Sequence, residues 1–138
     1  MILVGWRGLR VTADAPIVAD IVKLNVGAVV LFSYDVALQS AVRNIESPAQ
    51  VAQLTAELQA LAATPLLVAA DQEGGMVARL NEQHGFAPTV AAQTLGERSD
   101  PAYTYAQAQS MARTLAAAGV NHNLAPVVDV NTNPANPV

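Results

Sequence analysis

Four short apolar runs punctuate the chain, at residues 2–4, 28–32, 66–70 and 124–130. Each is nearly continuous rather than alternating, the pattern of strands covered on both faces of a parallel sheet. Between them the period changes to that of helices. Asp14 with Pro16 opens the first, with Ile17, Ile21, Val22 and Leu24 as its apolar stripe. Ser47-Pro48 supplies an N-cap followed by proline at the first helical position, and Val51, Leu54, Leu58 and Leu61 follow at spacings of 3, 4 and 3. Asp100-Pro101 repeats that start, ahead of Tyr105, Ala108, Ala112 and Leu115. Asn25 with Gly27, and later Gly119, mark helix ends.

The predicted order is βαβαβαβ, an α/β chain with a parallel sheet and right-handed crossovers. Two architectures fit it: a small doubly wound domain of flavodoxin type, or the first half of a (β/α)8 barrel, and periodicity does not separate them. The connections into strands are short, whereas those leaving them, residues 33–46, 71–91 and 129 onward, are long and polar. That asymmetry places the working face at the carboxyl ends of the strands.

Composition narrows the functions. With 52% hydrophobic and 13% charged residues the chain is not of disordered type. Seven Lys and Arg stand against eleven Asp and Glu, for a net charge of −4, and the cations do not cluster, so no nucleic-acid partner is expected. The absence of cysteine excludes disulfides, a thiolate zinc site and a Cys nucleophile. No apolar run approaches the ~20 residues of a membrane span. The first residues, Met1-Ile-Leu-Val-Gly-Trp-Arg, lack the cationic start and cleavage site of a signal peptide, which favours a cytoplasmic protein. The chain opens inside a strand and closes on the loop-like run Asn131-Thr-Asn-Pro-Ala-Asn-Pro-Val138, as expected for a piece of something larger.

The third strand leads into the most informative stretch, Asp71-Gln-Glu-Gly-Gly-Met-Val-Ala-Arg79-Leu80. A carboxylate at a strand tip can accept hydrogen bonds from vicinal hydroxyls. The glycines allow a sharp turn and close approach to a ligand, and Arg79 offers a planar donor fork to sugar oxygens or to a neighbouring carboxylate. The set suits a neutral, polyhydroxylated ligand. The alternative is purely structural, with Asp71 capping a turn and Glu73 paired to Arg79.

Asp71-Gln-Glu-Gly-Gly with Val77 and Arg79-Leu80 resembles the signature of glycoside hydrolase family 3, in particular its β-N-acetylhexosaminidase-type members. Met1 to Gly8, Gly27 to Phe32, Arg43-Asn-Ile-Glu-Ser-Pro48, and the run from Gly119 through Asp129 to Pro137 resemble other segments of its barrel in the same order. The resemblance implies the first four strands of a (β/α)8 TIM barrel, with residues 1–138 a partial domain truncated at its C-terminus and N-terminal truncation left open. It also implies that Asp71 and Arg79 bind the non-reducing sugar. Asp129, ending a strand, joins them as a candidate. The family usually has Arg where this chain has Met76, so one cation is missing.

The family works by a retaining mechanism through a covalent glycosyl-enzyme. Its nucleophile is an Asp on a later strand, and in the hexosaminidase-type branch its acid/base is a His in a loop after the fifth. Nothing in residues 1–138 matches either, so this chain alone is expected to be inactive. The intact protein would hydrolyse terminal β-linked N-acetylglucosamine with no metal or other cofactor. A β-glucosidase-like member of the family is the first rival, and a freestanding, non-catalytic half barrel that binds a sugar or a partner is the second. Open sheet edges would let such a chain self-associate.

Other residues carry weaker signals. His84 reads as a loop residue, and His122 sits at the amino end of the fourth strand; neither has metal-ligand spacing. Asp129, Asn131 and Asn133 imitate part of a calcium loop, but Pro134 stands where glycine is needed. Trp6 and Tyr34 follow the first two strands and either stack on a sugar or pack at the rim. Pro126 is awkward inside a strand because it cannot donate to the ladder.

Overall fold

A computed structural model of the chain describes residues 2–130, 132, 133 and 135. Its main sheet has four parallel strands, β1 (Leu3–Val4), β2 (Ala28–Leu31), β3 (Leu67–Ala70) and, later in the chain, β6 (His122–Asn123), in the spatial order β1-β2-β3-β6. Helix α1 (Pro16–Val22) joins the first two strands and α2 (Pro48–Leu61) the next two. The longest connection holds an antiparallel hairpin of β4 (Gln72–Gly74) and β5 (Val77–Ala78), a 3-10 turn at Glu82–His84, α3 (Ala92–Arg98) and α4 (Pro101–Ala117).

The strand order separates the two architectures. A flavodoxin-type sheet reverses direction after its first strand. Here every new strand of the main sheet is added on the same side as the last, which is how a (β/α)8 barrel wall grows.

Val29 and Leu31 of β2 and Val68 and Ala70 of β3 belong to the helix-side core with Ile17 and Ile21 of α1 and Val51, Leu54 and Leu58 of α2. Each large aliphatic side chain buried there contributes about 1.5–3 kcal/mol. Ser47 caps α2 by accepting from the Gln50 amide at 3.3 Å, and Asp100 caps α4 by accepting from the amides of Ala102 and Tyr103, each at 3.0 Å. α1 starts differently from the expectation, since Ala15 is its cap residue and makes no side-chain cap bond.

The fourth strand is the main correction. Predicted at residues 124–130, it is observed at His122–Asn123, and the ladder ends with the Leu124 amide donating to the Ala70 carbonyl at 3.1 Å. Pro126 lacks the donor needed to continue, and Val127, Val128 and Val130 are exposed. Two helical stripes are also narrower than predicted. In α1 only Ile17 and Ile21 are buried, while Val22, at its end, and Leu24, beyond it, are exposed; in α4 Leu115 alone is buried, and Tyr105 is exposed. α4 joins the core cluster only near its end, through Leu115 with Met111 packed against it, while its earlier turns face the hairpin and α3 across a cavity. α3 and the hairpin were not foreseen.

Gly119 and Gly96 give a paired stability test. Gly119 has φ +74°, and a Cβ there would lie 2.2 Å from Thr55 Oγ1, whereas one on Gly96, inside α3, would meet nothing within 4 Å. Gly119→Ala should cost about 2 kcal/mol or more from left-handed strain and overpacking. Gly96→Ala should be neutral or stabilise by about 0.5 kcal/mol. Urea unfolding of both variants checks the contrast; equal effects would contradict it.

Candidate functional site

β3 ends at Ala70, and Asp71 follows at the carboxyl edge of the sheet. The β4–β5 hairpin turns the chain straight back, so that the Arg79 amide donates to the Asp71 carbonyl at 3.3 Å. The side chains meet as well: Arg79 Nε and Nη2 donate to Asp71 Oδ2 at 3.2 and 2.8 Å. Both remain partly open, with 29% of the Arg79 side chain and 26% of that of Asp71 exposed. Because both donors use Oδ2, Oδ1 has no hydrogen-bond partner among the described residues. The structural alternative for this stretch is corrected in its detail, since Arg79 pairs with Asp71 and not with Glu73.

Buried amides hold this geometry. Gln72 is fully buried; its Nε2 donates to the Leu80 carbonyl at 2.9 Å, and its Oε1 accepts from the Leu80 amide at 3.0 Å. From β6, Asn123 accepts from the Gln72 amide and donates to its carbonyl, both at 3.1 Å. The two glycines make the sharp turn of the hairpin with positive φ and pack it closely against residues 90 and 91. A Cβ on Gly74 (φ +100°) would sit 2.2 Å from the Val90 carbonyl oxygen, and one on Gly75 (φ +58°) 2.6 Å from Ala91 Cβ. Met76 lies exposed in the turn between β4 and β5.

The ends of β1 and β2 carry further groups that sequence reasoning missed. The Arg79 guanidinium carbon lies 5.7 Å from the centre of the Phe32 ring, and that of Arg43 lies 4.9 Å from the same ring. Arg43 Nε donates to the Trp6 carbonyl at 3.0 Å. Buried Asn44 donates to the carbonyls of Trp6 and Gly8, each at 3.2 Å, and accepts from the Phe32 amide at 3.2 Å. It thereby ties the end of β1 to the end of β2. Trp6 is buried in the core, whereas Tyr34 is 46% exposed, so of the two aromatics only Tyr34 is open to a ligand.

Asp35 is a buried carboxylate with an ion-pair partner in Arg7. Its Oδ1 accepts from Arg7 Nη2 and from the Ala37 and Leu38 amides, each at 3.1 Å, and its backbone bridges to Ser40. The Arg7 guanidinium holds the Asp35 carboxyl below the ordinary carboxylate range, against the opposing effect of burial.

The remaining candidates lie apart. Asp129 is exposed, and the strand it was expected to end stops at Asn123; it makes no hydrogen bond or ion pair with the described residues. His84 sits in the 3-10 turn, and His122, in β6, is exposed. Asn131 and Pro134 of the calcium-like run lie outside the described residues, and among those described no group of three His, Asp or Glu could hold a metal ion. No described helix is long and apolar enough to cross a membrane. A cavity of about 440 Å³ lies between the hairpin, α3 and α4, lined mostly by apolar groups including Val90, Leu95 and Met111, and neither Asp71 nor Arg79 faces it.

A family model described as "Glycosyl hydrolase family 3 N terminal domain" matches residues 6–138. A β-hexosaminidase from Xanthomonas euvesicatoria pv. vesicatoria is 38% identical over 137 residues, covering 94% of this chain and 37% of the relative. Among solved structures, a glycoside hydrolase family 3 β-N-acetylglucosaminidase from Paenibacillus sp. str. FPU-7 superposes with a TM-score of 0.83 at 38% identity. That match covers 99% of this chain and 24% of the other. NagZ from Neisseria gonorrhoeae, in complex with N-trifluoroacetyl-D-glucosamine, gives a TM-score of 0.72 at 27% identity, covering 94% of this chain and 36% of that one. This chain therefore spans between about a quarter and just over a third of the length of these proteins.

The depressed Asp35 carboxyl sets a pH dependence. A carboxyl held lower in the folded state stabilises the fold fully above its unfolded pKa of about 4, and that stabilisation is lost as pH falls through the folded value. Asp35→Asn should therefore be less stable than the parent at pH 7, and the gap should shrink as the pH drops below about 4. Urea midpoints measured against pH test this; a gap that stays constant to low pH would refute it.

Proposed function

From the premise that this chain belongs to glycosyl hydrolase family 3, we propose that it forms the sugar-holding part of a retaining β-N-acetylhexosaminidase acting on terminal β-linked N-acetylglucosamine. The observation that carries this reading is the half-open Asp71–Arg79 pair at the carboxyl end of β3. One carboxylate oxygen is held by the guanidinium and the other is left to accept from a ligand hydroxyl. The charge on Asp71 is balanced by Arg79, so the pair offers strong directional hydrogen bonds to a neutral ligand without a net charge. The neighbours named for N-acetylglucosamine chemistry favour that sugar over glucose, which the β-glucosidase alternative would take.

In this reading Asp71 and Arg79 orient the non-reducing sugar and carry no bond-breaking step. The nucleophilic Asp and the acid/base His of the retaining mechanism belong to parts of the intact enzyme other than residues 1–138. Asp129 lines the site only if the segment beyond β6 is brought inward in the intact protein.

Removing Asp71 deletes a charged hydrogen-bond acceptor, worth about 1.5–3 kcal/mol, so Asp71→Ala should weaken sugar binding roughly 10- to 100-fold. Titration of the full-length protein with N-acetylglucosamine reads this directly, and an unchanged Kd would sink the assignment. Rates on aryl β-N-acetylglucosaminide and aryl β-glucoside separate the two enzyme readings, the first being expected to dominate.

A second consequence concerns the 138-residue chain alone. Among the described residues β1 and β6 each have a strand neighbour on one side only, and Leu3, Leu124, Val127, Val128 and Val130 are exposed nearby or in continuation. Such edges pair with other chains, so the isolated chain should self-associate. Sedimentation velocity over a concentration series would show this, and a monomer throughout would refute it.

A further inference from the structure

We propose that Phe32 and Arg43 are positioning residues for the Arg79 fork, and that they thereby set how tightly the site holds its sugar. The proposal rests on the sugar-holding reading of Asp71 and Arg79. Its starting point is that two of the three guanidinium nitrogens of Arg79, Nε and Nη2, donate to the same Asp71 oxygen. A planar cation held at one oxygen can still pivot about that contact, and each pivot re-aims its remaining N–H donors. A second restraint is needed for those donors to point at a fixed place.

The Phe32 ring supplies it, with its centre 5.7 Å from the guanidinium carbon of Arg79. The negative face of an aromatic ring attracts a cation and favours a definite placement over it. Phe32 is itself held by the loop that follows β2. The Phe32 amide donates to Asn44 Oδ1 at 3.2 Å, and its carbonyl accepts from the Asn44 amide at 3.0 Å. Arg43 lies 4.9 Å from the ring centre, and its own Nε is tethered to the Trp6 carbonyl at 3.0 Å. Both side chains lie against the backbone after β1, where a Cβ on Gly5 would come within 3.4 Å of Arg43 Nη2 and 3.5 Å of Phe32 Cε2.

These contacts form one chain from Trp6 through Arg43, Phe32 and Arg79 to Asp71, and they join the ends of β1, β2 and β3. For a neutral sugar, whose hydroxyls are read by direction rather than by charge, a fixed fork binds better than a pivoting one.

The test uses the full-length protein with Phe32→Leu, Arg43→Gln, Phe32→Tyr, Arg79→Ala and the Phe32→Leu/Arg79→Ala double variant. Loss of the ring should weaken N-acetylglucosamine binding about three- to tenfold, the scale of one cation–π contact. Arg43→Gln should do less, and Phe32→Tyr, which keeps the ring, should bind as the parent does. On the Arg79→Ala background Phe32→Leu should add nothing. In parallel the Nε–Hε resonance of Arg79, read by 15N NMR, should move in Phe32→Leu and stay in Phe32→Tyr.

Additive losses in the double variant would overturn the proposal, as would an Arg79 resonance indifferent to the ring. If Phe32→Leu does not fold, Arg43→Gln carries the same two readouts. If Arg79→Ala binds the sugar as well as the parent, the sugar-holding reading fails instead. The resonance still decides whether Phe32 and Arg43 order the fork.

Discussion

Gln72 leaves β3 with its side chain fully buried, and a buried amide left without partners would cost about 1–3 kcal/mol for each unpaired group. The chain must therefore deliver a backbone N–H and a C=O to it, and Leu80 delivers both. Those two bonds hold the returning strand in place. The antiparallel ladder pairs residue 72 with residue 78, so residue 71 falls opposite residue 79, and the carboxylate and the guanidinium lie beside each other at the sheet edge. The glycines make the arrangement possible because the hairpin must lie flat against residues 90 and 91, where no Cβ fits. The hairpin ladder and the side-chain bonds of Gln72 thus converge on the pairing that makes the site.

The same economy runs through the rest of the carboxyl edge. Parallel strands all end on one side, so the loops after them share a rim, and each loop has polar backbone groups to satisfy. Side-chain amides do much of this. Asn44 closes the ends of β1 and β2 onto each other, and Asn123 takes over where β3 ends; at the opposite, amino end of β3, Asn121 does the same work, accepting from the Val68 amide and donating to the Leu66 carbonyl. A rim stitched in part by neutral amides holds its shape around the half-open Asp71 carboxylate.

How much of this was legible follows from the range of the forces involved. The central strands and α2 could be read because dense apolar runs and cap residues such as Ser47 act within a few positions of one another. The fourth strand was misplaced because Leu124, Val127, Val128 and Val130 look like a core strand by composition. Only the tertiary setting shows that Pro126 closes the ladder and that these side chains stay outside. The stripe of α4 was misread for a related reason, since periodicity says which residues share a face but not whether a surface lies opposite. Asp71 and Arg79 were legible as a motif. That they meet on one oxygen was not, and neither were Arg7 with Asp35 or Arg43 with Phe32. The residues Arg43-Asn44 were visible in the sequence, but their roles depend on contacts to Trp6 that lie 37 and 38 positions away.

The distribution of charge on the rim bears on what such a site can hold. Asp35 and Asp71 each have a guanidinium partner, yet their settings differ. Asp35 is buried, every contact it makes is internal, and it serves to close a loop. Asp71 is partly open, its pairing uses one oxygen, and the other has no hydrogen-bond partner among the described residues. A carboxylate fully used by the protein has nothing to give a ligand, and one with no partner would repel other anions and bind water tightly. A half-satisfied carboxylate avoids both: its charge is balanced, its position is fixed, and it keeps a free acceptor. That combination suits hydroxyl groups better than it suits phosphates or metal ions. It is also why we propose the recognition of a sugar for this part of the fold and the making and breaking of glycosidic bonds for another.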